Sequence, residues 1–266
     1  MKKYPVVVNQ NSTNETTNVF PQNTGLGLSD QSFLAPLANC SSVTIKQRAS
    51  CAEVNMPNLI PNLYHVYADG NTNLELYEFK EKGSCLERVY CFTCRGFELI
   101  IRSVPTMQYH QNPVALRGTK ECGLFLFCCC GCGKPKIITE VTVPSHETIG
   151  SVLVNYQSCL CALCQSKIEV FDASHLLRYT INRNCYWMGC HWYCARCCSI
   201  LYNITDDKGA KVGQVEKLSC DGLGTCCPKA DNYSIRFPPD ASPGEKMLII
   251  VGTILLDFLS FFYWII

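Results

Sequence analysis

Along most of this chain apolar and polar residues alternate with a period of two, in short runs separated by turn residues. That period puts one set of side chains on each face of a strand. The clearest example is the run Asn62-Leu63-Tyr64-His65-Val66-Tyr67, followed by Ala68-Asp69-Gly70-Asn71 and then by Leu74-Glu75-Leu76-Tyr77-Glu78-Phe79-Lys80. The second run alternates without a break, and the turn chemistry between the two predicts a β-hairpin. A first strand is expected at 42–46, and further strands at 97–102, 137–143, 149–156, 167–171, 199–205, 211–218 and 233–237. Asp206-Asp207-Lys208-Gly209 marks another hairpin turn. A weak internal similarity links 94–102 to 197–205, each a Cys-rich loop running into an apolar strand. Residues 1–32, rich in Asn, Thr and Gln without sustained periodicity, are expected to be a disordered polar tail before a folded domain at 33–266. No segment before residue 243 carries a helical stripe. Many short strands at regular spacing predict a mainly β body, a sandwich or a barrel.

The period changes at the C-terminus. In Ser242-Pro243-Gly244-Glu245, Ser stands at a helix N-cap, Pro at the first helical position and Glu three residues after the cap. Residues 247–266 then form one apolar run whose single charge is Asp257. As a helix this run is about 30 Å long, close to the thickness of a bilayer core. A helix that is apolar all round is buried either in protein or in lipid, and both environments are open to this one. In lipid, Met247, Asp257, Trp264 and Ile266 mark its course, Tyr263 and Trp264 serve as interfacial anchors, and Lys246 keeps the body on the cytoplasmic side. In a barrel, Asp257 needs a buried partner or a proton.

Composition narrows the function classes. The chain has 266 residues, 47% of them hydrophobic and 17% charged, which excludes disorder of the whole. A net charge of +1 argues against nucleic acid as the main partner. Cysteine is the outlier, at 21 residues. The chain opens with Met1-Lys2-Lys3 and polar sequence instead of an apolar run, so the expected compartment is reducing, and the cysteines call for lipid or metal rather than disulfides. Four C-x-x-C pairs recur at intervals of about 30 residues: Cys91/Cys94, Cys129/Cys132, Cys161/Cys164 and Cys194/Cys197. Two such pairs brought together supply the four thiolates of a zinc site, with Cys91, Cys94, Cys161, Cys164, Cys194 and Cys197 as candidate ligands. The hydrolase, metalloprotease, P-loop and dinucleotide motifs are missing, so the expected activity involves no covalent chemistry.

Several motifs in the same order resemble the phospholipid scramblase family. The strongest is Ala230-Asp231-Asn232-Tyr233-Ser234-Ile235-Arg236-Phe237-Pro238 running into the apolar helix with Leu256-Asp257-Phe258. Upstream, Cys128-Cys129-Cys130-Gly131-Cys132 resembles the family's palmitoylation run, Cys91 and Cys94 followed by 95–101 its cysteine loop and strand, and Asn62-Leu63-Tyr64-His65-Val66 its opening hairpin. The similarity covers about 33–266. It implies a closed, twelve-stranded, Tubby-like barrel around, or followed by, one hydrophobic C-terminal helix. It also implies calcium-stimulated, ATP-independent, bidirectional movement of phospholipids between leaflets. The expected location is the plasma membrane with the barrel on the cytoplasmic side, membrane phospholipids are the partners, and a homo-oligomer is left open.

The resemblance implies two modifications of the bare chain. Palmitate on Cys128, Cys129, Cys130 and Cys132 would anchor the body beside Leu124-Phe125-Leu126-Phe127 and Lys134, and two or more acyl chains hold stably at about 0.8 kcal/mol per buried methylene. Residues 229–240 resemble an EF-hand-like Ca2+ loop, with Asp231, Asn232, Tyr233 and Asp240 as the candidate set. Lys229 at the first ligand position and Arg236 nearby predict low affinity. A cysteine-rich, lipid- or zinc-binding adaptor that moves no lipid is the alternative.

Overall fold

A computed structural model of the chain describes residues 28–48, 61–68, 74–82, 97–104, 114–119, 136–142, 147–155, 167–183, 199–218 and 232–260. Twelve strands lie among these residues: β1 (Ser42–Gln47), β2 (Leu63–Ala68), β3 (Glu75–Lys82), β4 (Phe97–Ser103), β5 (Val114–Thr119), β6 (Lys136–Thr142), β7 (Thr148–Asn155), β8 (Lys167–Asp172), β9 (Leu177–Arg183), β10 (Ile200–Asp206), β11 (Lys211–Leu218) and β12 (Asn232–Arg236). Each strand pairs antiparallel with its neighbours in sequence, and β1 pairs with β12 as well as with β2, so the single large sheet runs round as a barrel. The period of two explains the walls. In β1, Val43, Ile45 and Gln47 are buried while Ser42, Thr44 and Lys46 are partly exposed, and β2 and β12 alternate in the same way.

The described residues also form two α-helices, α1 (Leu28–Leu34) and α2 (Pro243–Ser260), with a 3-10 turn at Ala35–Leu37 after α1. From Met247 to Leu256 every residue of α2 is buried, and the apolar ones join one core with Val152, Ile168, Ile181 and the other inward side chains of the wall. Each fully buried aliphatic side chain contributes about 1.5–3 kcal/mol. A Cβ on Gly150 of β7 would meet Leu248 Cδ1 at 2.7 Å, and one on Gly252 would meet Ile168, Ile181 and Val152 within 3.3–3.6 Å. At Gly150 and Gly252 wall and helix therefore approach closely. Of the two environments open to the C-terminal run, its described buried residues occupy the protein core. Among the described residues no helix is long and apolar enough to cross a membrane.

Two expectations change. Helix α1 lies partly within the expected tail, because Phe33, Leu34 and Leu37 find a place in the core and Asp30 is buried with them. The Tyr77 hydroxyl donates to Phe33 O at 2.7 Å, and the two rings meet edge to face at 5.5 Å, which ties α1 to β3. Strands β5 and β9 were not foreseen. β5 reads Val-Ala-Leu-Arg-Gly-Thr, without alternation.

Candidate functional site

The antiparallel order gives the barrel two ends. At the first, the collar end, β12 leads into α2 and the two described tight turns close. The β10–β11 turn forms where the sequence puts it: Asp206 Oδ1 accepts from Lys208 N at 3.0 Å and Ala210 N at 2.7 Å, with Gly209 at φ 82. The β8–β9 turn is the same device, with Asp172 Oδ1 accepting from Ser174 N and Leu176 N and His175 at φ 58.

The collar proper surrounds the first turn of α2. The capping box foreseen from the sequence is present: Glu245 N donates to Ser242 Oγ at 3.3 Å and Ser242 N to Glu245 Oε2 at 2.8 Å. The other oxygen of Glu245 accepts from Arg178 Nε at 2.7 Å, which stitches the helix to β9. That hydrogen bond, reinforced by the charge of Glu245, raises the guanidinium's pKa above its ordinary value. Next door, burial pushes the Tyr179 phenol up to about 12, with the Glu245 carboxylate adding to the shift.

Lys246, which the sequence places just before the apolar run, is only 6% exposed. Its ammonium donates to Leu37 O at 3.0 Å, Ala38 O at 3.2 Å and Cys40 O at 2.9 Å, so it caps the carbonyls left over where the 3-10 turn ends. All three ammonium protons are thereby used. No sequence rule would have paired Lys246 or Glu245 with partners 209 and 67 residues away.

Only part of the expected calcium loop, 232–240, lies among the described residues. Its centre, Asn232–Arg236, is strand β12, paired on one side with β1 and on the other with β11. Tyr233 is 1% exposed and faces the bore, with Lys217 Nζ 5.9 Å from its ring centroid. Asn232 opens the strand at the far end, whereas exposed Asp240 follows it at the collar end. Four strand steps separate Asn232 from Arg236 by about 13 Å, yet oxygens around one calcium lie within about 5 Å of each other. The inward alternation of Tyr233, Ile235 and Phe237 decides the conformation. Asp231 lies outside the described residues.

Also outside them are Cys91, Cys94, Cys128, Cys129, Cys130, Cys132, Cys161, Cys164, Cys194, Cys197, Trp264 and Ile266; Met247 is fully buried, and Asp257 belongs to α2. Among the described residues no three His, Cys, Asp or Glu side chains gather as metal ligands. The strand order nevertheless sorts the cysteines. Of the 21, all but Cys40 fall in the sequence between the strands that end and begin at the far end: β1 and β2, β3 and β4, β5 and β6, β7 and β8, β9 and β10, β11 and β12. The four C-x-x-C pairs occupy four successive members of that series. The intervals between strands at the collar end contain no cysteine. Cys40, before β1, is buried, and its thiol donates to Pro36 O at 3.1 Å. The period-two reading could have found this sorting, since alternate connections of an antiparallel barrel share an end.

Comparison with known proteins agrees with the motif reading. The Scramblase family model matches residues 21–263. Human phospholipid scramblase 1 is 25% identical over 226 residues, which cover 85% of this chain and 64% of that protein. Human phospholipid scramblase 2 is 23% identical over 226 residues, 85% of this chain and 69% of that one. The chain thus spans slightly less than two thirds of the length of the first relative. No solved structure matches it. With the family model matched over most of its length, the chain belongs to the scramblase family.

Proposed function

We propose that this protein moves phospholipids between membrane leaflets in both directions without ATP, from the cytoplasmic side of the plasma membrane, on the Tubby-like form of the barrel. The observation that carries the reading is the family match over residues 21–263. The sorting of the cysteines supports a geometry for it. The far end is the membrane-facing end, with palmitate on Cys128, Cys129, Cys130 and Cys132. Helix α2 runs toward that end, from Leu248 beside Gly150 to Gly252 beside Ile168. Because the bore holds α2, headgroups travel outside the barrel. A single body gives them no polar path through about 30 Å of hydrocarbon, so translocation works through local thinning or a homo-oligomer. Calcium stimulation belongs to the same proposal.

The test is dithionite quenching of fluorescent lipid in liposomes that hold the purified protein, with and without calcium. Scrambling takes the loss of signal well beyond half. A signal that stops at half, with folded, membrane-bound protein, overturns the proposal. One observation favours a second reading, a zinc-binding adaptor: four C-x-x-C pairs in successive intervals at one end. Stoichiometric zinc that survives dialysis and protects the thiols supports the adaptor, whereas acyl groups released by hydroxylamine support the scramblase.

A further inference from the structure

A cleft of about 640 Å³ opens at the collar end, where the strand termini of β1 and β12 meet the segment 38–41. Its lining among the described residues includes Asn39, Ser42, Arg236, Phe237 and Lys246, and no carboxylate. The described lining therefore holds two positive charges and no negative one. They play different parts. The Lys246 ammonium has its protons committed to three carbonyls, so it supplies charge from a buried position and no further donor. No carboxylate among the described residues pairs with it, and a buried positive charge favours an anion that approaches. Arg236 is exposed, and its partners across both flanking strands, Ser42 of β1 and Gln214 of β11, are neutral. Its planar fork of donors matches the oxygens of a phosphate. Gln214, the residue opposite Arg236, in turn accepts from Lys211 Nζ at 3.3 Å.

We propose that this cleft is a binding site for a phosphate-bearing anion, held by the Arg236 guanidinium over the buried charge of Lys246, with exposed Asn39 at its rim. Phosphate can come from a soluble ester or from a lipid headgroup. The geometry favours the soluble source, because the cleft opens at the end opposite the cysteine-bearing connections. The site goes beyond the lipid-moving function and does not depend on it.

Titration calorimetry with pyrophosphate as the probe, on the full-length protein in detergent, tests the proposal. Saturable binding is expected. Arg236→Gln, at an exposed position, should weaken it about tenfold, in line with the loss of one charge-assisted contact. Asn39→Asp should weaken it similarly by placing a negative charge at the rim. Thermal unfolding of both variants should match the parent, so that lost binding is not lost folding. Absence of saturable binding, or binding unchanged in both variants, overturns the site. Cosedimentation with phosphatidic acid vesicles separates the two sources. Arg236-dependent binding to vesicles without any binding of pyrophosphate overturns the soluble source.

Discussion

The two ends of the barrel solve different problems with different chemistry. At the collar end, connections are short where they are described, cysteines are missing from the intervals between strands, and polar groups are matched across the chain: Lys246 to three carbonyls, Glu245 to Ser242 and Arg178, Asp172 and Asp206 to their own turns. At the far end the strands are joined through six cysteine-bearing intervals. A helix buried in a bore can slide or rotate unless something directional holds it, because apolar burial is not directional. The collar supplies that direction by fixing α2 to β9 and to the 3-10 turn, while the cysteines collect in the intervals that join the strands at the other end.

The largest expected effect belongs to the far end. Replacing Cys128, Cys129, Cys130 and Cys132 together by serine should move the protein from the membrane to the soluble fraction of cells, while the melting temperature of the purified, unacylated chain stays within about 2 °C. A quadruple variant that stays on membranes would remove the anchoring role of this cluster and weaken the contrast between the ends.

At the collar the effects should fall on folding instead. Lys246→Met keeps the length of the side chain but strips three carbonyls of their donor, and each buried group left unsatisfied costs about 1–3 kcal/mol, so a loss of roughly 3 kcal/mol or more is expected in chemical denaturation. An unchanged midpoint would mean that water replaces the ammonium and that the collar does not hold the helix.

A smaller effect should appear in alkali. The Tyr179 phenol titrates near 12 in the folded protein because burial, and then Glu245, disfavour the phenolate, against an ordinary value of 10.0. With the folded value above the unfolded one, the contribution of Tyr179 is fully present below pH 10 and is lost as the pH rises through 12. The melting temperature should fall over that window, and Tyr179→Phe should make the fall shallower. Equal slopes in parent and variant would assign the alkaline loss to other groups, among them Tyr77, which burial also raises.

Much of this was legible in the sequence, because local patterns carry local physics. Ten of the twelve strands follow from alternation; the capping box at Ser242 and the turn at Asp206 follow from spacing. β9 escaped for a physical reason. Leu177, Tyr179 and Ile181 alternate as they should, but the turn before them, Asp172-Ala173-Ser174-His175, holds neither Gly nor Pro nor Asn. In the stretch 229–240 a motif match and an inward pattern overlap, and the described part, with Tyr233, Ile235 and Phe237 buried, is strand β12. The site residues of the collar were illegible, since a lysine next to an apolar run looks the same whether it flanks a bilayer or caps a distant turn. The sorting of the cysteines needed the strand order, which no local window contains.

The two turns of the collar end offer the smallest and sharpest test. Both use an Asp carboxylate to gather two backbone N–H groups, and both place their fourth residue in the left-handed region, Gly209 at φ 82 and His175 at φ 58. A side chain with a Cβ is strained there, by about 1–2 kcal/mol, whereas glycine loses about 0.5–1 kcal/mol through its freer unfolded chain. His175→Gly should therefore stabilise the protein by about 0.5 kcal/mol, read as a small rise in the denaturation midpoint at constant slope. Gly209→Ala should do the reverse by about 0.5 kcal/mol, since a Cβ there meets nothing within 4 Å and only backbone strain, less the entropy gain, remains. If His175→Gly destabilises instead, the imidazole makes a contribution that outweighs the strain. The collar end would then hold a further position, besides Lys246 and the Glu245–Arg178 pair, at which a side chain acts beyond its local turn.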